Sequence, residues 1–304
     1  MKIIDGYFKK MDLLEIEKII FDNVDENLYQ KIKKKKLNKK YWLTIIVPVR
    51  GRIEFLPLLL ESFKKSIKLY NRKVNIIVVE ESNYPLHKEE CKKNNVDYFF
   101  IESSKNYFNK CICHNIGALL YKNSEYFLFH DLDCLVKENF IVNIFKNIEN
   151  KKINCLQTFD KRRVLYFNEQ QTEKIKMGEM DINEIDDIDL NVGDCCAPGG
   201  SILIKKELFF DVGGYDPEIF YGWSPEDRFF WDKVESLENI GICDNPKNEI
   251  YHMYHEPQYK DKEQLDLIED RQKFYESIDK SKISEIIEIK KNVFLKYGLY
   301  DYVK

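Results

Sequence analysis

The chain has 304 residues, 44% hydrophobic and 14% aromatic, enough for one large domain or two small ones with a proper core, so global disorder is excluded. A formal charge of −4 gives no bulk electrostatic case for nucleic acid. No run approaches the roughly 20 apolar residues of a membrane span, and the first 30 residues lack the apolar block of an export signal. The cysteines (Cys91, Cys111, Cys113, Cys134, Cys155, Cys195, Cys196 and Cys243) form no CxxC pair, so buried reduced thiols in a cytoplasmic chain are expected rather than disulfides or structural zinc.

Residues 1–40 predict one or two charged helices with Leu13, Leu14, Ile16, Ile19, Ile20 and Phe21 as apolar positions. They end in a lysine-rich run over 30–40, read as a solvated linker face that could also touch an anionic membrane surface. Residues 42–49 are continuously apolar and β-branched, as in a strand covered on both faces of a parallel sheet. A helix over 54–70, a strand over 74–80, a helix over 86–95, strands near 97–101 and 125–130, and a helix near 110–122 follow. This alternation predicts a doubly wound, mostly parallel α/β sheet. Neither GxGxxG nor GxxxxGK[ST] occurs, which disfavours an NAD enzyme or a kinase. Residues 150–198 are the least regular, with short strands near 153–159 and 163–167 and an acidic loop over 177–189. A strand opens at Gly199-Gly200, a helix runs through Phe210, and another spans 226–238. Residues 249–257 read as a strand. The tail from 260 is helical and amphipathic, with Ile283, Ile286, Ile287, Ile289, Val293, Phe294 and Leu295 available for a cap or a dimer contact.

The chemistry centres on Phe129-His130-Asp131-Leu132-Asp133, where an apolar run ends in two acids one residue apart. On extended backbone, residues i and i+2 share a face, so Asp131 and Asp133 could converge on one Mg2+ or Mn2+ at the carboxyl end of a buried strand. A turn acid followed by a helix cap is the plainer alternative. Arg50 and Arg52, after Pro48 in the first strand, offer planar donors for phosphate or a base carbonyl, and Glu80 and Glu81 offer acceptors for a base or ribose. Gly200 lets backbone approach a ligand closely. An aromatic loop around Trp223 delivers Glu226 and Asp227 to a helix start, where an acid is held ionised and suits a general base. His252 and His255 are candidate metal ligands.

In this order these blocks resemble metal-dependent glycosyltransferases of the GT-A fold, in particular the β-1,4-galactosyltransferase and chondroitin-synthase-like group. Pro48-Val49-Arg50-Gly51-Arg52 resembles that group's P-F-R-x-R segment, and Phe108-Asn109-Lys110 through Asn115-Ile116-Gly117 its F-N-R-x-x-x-x-N-x-G helix start. Phe129 to Asp133 resembles F-x-D-V-D, and Gly199-Gly200 through Gly222-Trp223-Ser224-Pro225-Glu226-Asp227 resembles G-G…G-W-G-x-E-D. The resemblance implies a GT-A catalytic domain over 41–258 with helical extensions over 1–40 and 259–304. It further implies inverting transfer of a hexose or N-acetylhexosamine from a UDP-sugar to a glycan or other hydroxyl acceptor. Pro48, Arg50, Arg52, Glu80 or Glu81, Asn109, Lys110 and Gly200 would hold the donor, with Asp131 on the ribose side. Asp133 would bind Mn2+ or Mg2+ with His255, His252 being the rival ligand. Trp223 would cover the sugar, Asp227 would be the base, and Glu226 would bind the acceptor. Ser224-Pro225 stand where the group has glycines, and proline fixes φ, which argues against a large loop closure. A soluble microbial or viral enzyme is expected, with oligomerisation through the C-terminal helices. The competing functions are a nucleotidyltransferase acting on a sugar phosphate and a non-catalytic nucleotide- or glycan-binding module.

Overall fold

Strand β1 (Leu43–Val49) is buried along its whole length and forms the centre of the fold. Its side chains alternate between two apolar layers: Leu43, Ile45, Val47 and Val49 enter one, and Ile46 enters the other. A strand can do this only when both faces of its sheet are covered. The computed structural model describes residues 12–34, 39–159, 164–185, 191–192, 199–242, 248–256 and 262–296. Pro198, Cys195, Cys196 and Cys243, the lysines among 35–38 and the acids among 186–189 lie outside the described residues.

Two helices, α1 (Leu13–Asp22) and α2 (Glu26–Lys34), precede β1. After it come α3 (Phe55–Lys68), β2 (Val74–Ser82), α4 (Lys88–Lys93), β3 (Asp97–Glu102), α5 (Lys110–Leu120) and β4 (Tyr126–His130). Next are β5 (Cys134–Val136), α6 (Phe140–Lys151), β6 (Cys155–Gln157), β7 (Val164–Tyr166), α7 (Glu169–Lys176) and β8 (Asn191–Val192). The chain continues through β9 (Ser201–Lys205), α8 (Lys206–Asp211), α9 (Glu226–Glu235), β10 (Gly241–Ile242), β11 (Ile250–His252), α10 (Lys262–Ser277) and α11 (Ile283–Lys296).

The main sheet has the order β10-β6-β9-β4-β1-β2-β3. All its pairings are parallel except those of β9, which runs against both β4 and β6. A second sheet, β5-β11-β7-β8, sets β11 antiparallel to β5, with His252 opposite Cys134. The expected α/β class with a mostly parallel sheet is therefore present. The terminal helices merge with it, since Ile16, Ile20, Leu28 and Tyr29 share one apolar cluster with α5, α8, α9 and α11. Every packing position expected in the tail except Leu295 is buried within the chain. Among the described residues no helix is long and apolar enough to cross a membrane, and Cys91, Cys111, Cys113, Cys134 and Cys155 are buried.

Three local expectations need correction. Strand β4 stops at His130, and residues 131–133 form a turn rather than extended backbone. Strand β11 stops at His252, leaving His255 on the loop beyond it. Helices α6 and α7 were not foreseen, although α6 repeats apolar residues at 140, 141, 144, 145 and 148, and Asn168 and Gln171 close a capping box on α7.

Candidate active site

Because 131–133 is a turn, its two acids part company instead of sharing a face. Asp133 enters a group with Arg52, His252 and His255. Its Oδ2 lies 2.5 Å from Arg52 Nη1, 3.1 Å from His255 Nε2 and 3.7 Å from His252 Nε2. Two features of the fold assemble this group. Arg52 follows Gly51 in a tight left-handed turn after β1, with φ of 51° and 63° respectively. The Met253 N–H donates to the Asp133 carbonyl at 2.8 Å, folding the chain beyond β11 back over the turn. Both imidazoles thus reach one carboxylate, where a choice between them was expected.

The three ligand atoms of Asp133, His252 and His255 lie within 4.8 Å of one another. One carboxylate oxygen and two imidazole nitrogens fit a first-row ion such as Mn2+ better than Mg2+, which favours an all-oxygen shell. His255 Nδ1 lies 3.0 Å from the Glu256 carbonyl. With Nδ1 turned to that carbonyl, Nε2 is the nitrogen presented to Asp133 and to any ion the two would share. Burial raises the Asp133 carboxyl, but His252, His255 and Arg52 outweigh it and hold it well below the usual range. Asp131 is not part of this ligand group.

Asp131 instead faces a lysine. Lys110, the first residue of α5, puts Nζ 2.9 Å from Asp227, 3.1 Å from Glu226 and 3.6 Å from Asp131. Glu226 also accepts a hydrogen bond from Ser224 Oγ at 2.9 Å. The Asp131 N–H donates to the Gly200 carbonyl at 2.9 Å, and a Cβ on the neighbouring Gly199 would collide with the Asp227 carboxylate. The glycine pair is therefore needed for close approach of backbone to the acids. Burial pushes Glu226 up to about 7 and Asp131 up to about 6; Lys110 opposes both shifts, and neighbouring carboxylates add to them. At Glu226 burial therefore works against the preference of a helix start for an ionised acid. The helix field is worth about 0.3–1 kcal/mol, whereas a rise from the ordinary 4.5 to about 7 corresponds to roughly 3 kcal/mol.

The remaining expected residues serve the frame around these groups. Arg50 Nη1 donates to the Tyr107 carbonyl at 2.6 Å and Nη2 to that of Lys105, which shapes the loop before α5. Glu81 accepts from the Asn109 N–H at 2.7 Å. Asn109 caps α5 through Ile112 N–H and donates to the Pro217 carbonyl at 3.0 Å, so its side chain is committed to structure. Glu80 is fully buried and takes donors from Leu86 N, His87 N, Ser82 Oγ and Tyr98 Oη, which leaves it no place at a ligand. Pro48 is buried in β1. Trp223 is 67% exposed on the loop before α9. Glu81 and Asn109 line a cleft of about 260 Å³ with Tyr29, Lys105 and Glu218, and none of the four clustered acids lines it.

The Glycosyltransferase like family 2 model matches residues 44–239. No curated protein matches the chain. Among solved structures it is similar to S. aureus TarS 1-349 in complex with UDP-GlcNAc, at 17% identity and a TM-score of 0.50 over 83% of this chain and 72% of that one. It is also similar to the catalytic domain of Drosophila beta1,4galactosyltransferase 7 in complex with xylobiose, at 16% identity, a TM-score of 0.48, and 76% and 80% coverage. A third is mannosyltransferase PcManGT from Pyrobaculum calidifontis in complex with GDP-Man and Mn2+, at 13% identity, a TM-score of 0.47, and 95% and 84% coverage. At these identities the likeness is one of fold alone.

Proposed function

We propose that this chain, which belongs to the Glycosyltransferase like family 2 and is a GT-A glycosyltransferase, moves a hexose or N-acetylhexosamine from a UDP-sugar to a hydroxyl acceptor with inversion. One observation carries the reading: acids from distant parts of the chain meet around the 131–133 turn, Asp133 with two imidazoles and Asp131 with Lys110, Glu226 and Asp227. Asp133, His252 and His255 would hold Mn2+, which when bound would neutralise charge on the leaving diphosphate. Arg52, beside Asp133, has further guanidinium donors for that diphosphate. Arg50 and Glu81 sit at the base end of the donor site in this reading, whereas Glu80 and Asn109 support its walls.

In the transfer step, the acceptor oxygen forms a bond to the anomeric carbon as the bond to the diphosphate breaks. The acceptor proton passes to Asp227, and Glu226 orients the acceptor. A single displacement needs one base and no covalent nucleophile. UDP is the nucleotide proposed, the one carried by the donor in the TarS complex.

A panel of UDP-, GDP- and CMP-sugars with Mn2+, read as nucleotide release, tests this. UDP-sugars are expected to be preferred, with release reduced about 100-fold or more in Asp133→Ala and about 100- to 10,000-fold in Asp227→Asn. Release unchanged in both variants would overturn the mechanism, a GDP preference would overturn the roles of Arg50 and Glu81, and pyrophosphate release from an NTP would identify a nucleotidyltransferase.

A further inference from the structure

The segment between α8 and α9 carries Trp223 and leads into Glu226 and Asp227, and it is pinned along most of its length. Gly213 enters it with φ of 74°, and a Cβ there would stand 2.6 Å from the Cβ of Lys290, so the chain is pressed against α11. Asn115 closes on Tyr215 in both directions, donating to its carbonyl at 3.0 Å and accepting from its N–H at 2.9 Å. Arg271 of α10 donates to the Ile219 carbonyl at 3.0 Å, and the Gly222 N–H donates to the Phe108 carbonyl at 2.8 Å.

Two ion pairs cross the interior of this segment. Lys233 of α9 lies 2.5 Å from Asp216 and donates to the Gly214 carbonyl at 2.5 Å. Lys290 of α11 lies 2.5 Å from Glu218 and 4.0 Å from Asp216. None of the four side chains is more than 2% exposed. Burial raises the Glu218 carboxyl and lowers the Lys233 ammonium, so each depends on its partner to remain charged.

Lys290 and Arg271 both lie beyond residues 44–239, the part matched by the family model. We infer that Lys290 is a positioning residue for sugar transfer, acting through Glu218 and Asp216 to fix where α9 presents Glu226 and Asp227. The inference rests on the reading of those two acids as the acceptor-side pair. A buried ion pair is a poor source of stability, because apolar side chains of similar volume do as well or better, whereas a pair of charges tolerates only one register between its elements. The link is continuous: Lys290 holds Glu218 and faces Asp216, Asp216 holds Lys233, and Lys233 shares a ten-residue helix with Glu226 and Asp227. A C-terminal helix outside the matched region thereby sets the geometry of the acid pair.

The test measures UDP release from UDP-GlcNAc, UDP-Gal and UDP-GalNAc with Mn2+, together with thermal melting, in the full chain and its variants. Lys290→Met is expected to lower kcat about 10-fold or more, because small misplacements of reacting groups are costly, with donor KM within about twofold. Lys290→Arg is expected to restore most of the rate. The double variant Lys290→Met with Glu218→Met removes both charges together and leaves no buried ion unpaired. It is expected to melt near the parent and still turn over slowly. Parental kcat in the folded double variant would overturn the inference, as would a loss in Lys290→Met that only follows its folded fraction. Parental release by Asp227→Asn in the same assay would instead overturn the reading of the acids.

Discussion

Glu226 and Asp131 carry carboxyls raised to about 7 and about 6, beside a lysine that also contacts Asp227. Glu226 and Asp131 share Lys110 in a partly exposed site, so the ionisation of each depends on the charges beside it. An acid raised in this way is protonated below its folded value and becomes competent as pH rises through it. UDP release is therefore expected to climb with pH and level off above about 7, as Glu226 ionises and can accept a hydrogen bond from the acceptor hydroxyl, and Glu226→Gln is expected to abolish that limb. A pH–kcat/KM profile of both proteins checks this; an unchanged limb in Glu226→Gln would show that the proton belongs elsewhere. At this scale the residue types were readable, since Asp133, His252, His255, Glu226 and Asp227 all stand out in their local sequence. Their partners were not. Lys110 reads in sequence as a donor-site cation and is in the structure the counter-charge of three acids.

Among the elements, the start of β9 shows how backbone packing serves the site. Gly199 runs so close to Asp227 that any side chain there would displace the carboxylate. Gly199→Ala is expected to leave melting within a few degrees of the parent, because the displaced atom is the tip of a side chain rather than backbone. Transfer is expected to fall about 10- to 100-fold as Asp227 leaves its place. Parental activity would mean that the Asp227 position does not matter. Strand β1 was legible from continuous apolarity, and α3 from apolar residues at helical spacing. The metal-type group was legible only in part. On a strand, His252 and His255 would face opposite ways, and both reach Asp133 because β11 ends at His252 and the chain folds back through Met253. The Asp131 and Asp133 spacing misled for the matching reason, since the strand ended one residue before it.

For the molecule as a whole, the region matched by the family model does not contain all of its own core. Ile286, Ile289, Val293 and Phe294 of α11 are buried in the layer that also holds α1, α5, α8 and α9. Each such side chain contributes about 1.5–3 kcal/mol on burial, and their sum rivals the roughly 5–15 kcal/mol by which a whole domain is stable. A chain ending at residue 256 is therefore expected to be insoluble or to lack a cooperative melt, which calorimetry or circular dichroism would show. A stable fragment with parental UDP release would contradict both this and the role of Lys290.

From its sequence alone, this protein's class of fold, the family it resembles and the side chains able to do chemistry were determined, because hydrophobic period and residue type are properties of short stretches. Which of those side chains face one another was decided by tertiary structure. A turn that parts two neighbouring acids, a loop that folds back and a lysine arriving from another helix are set by packing between segments roughly 100 residues apart, and no local pattern encodes a distance of that kind.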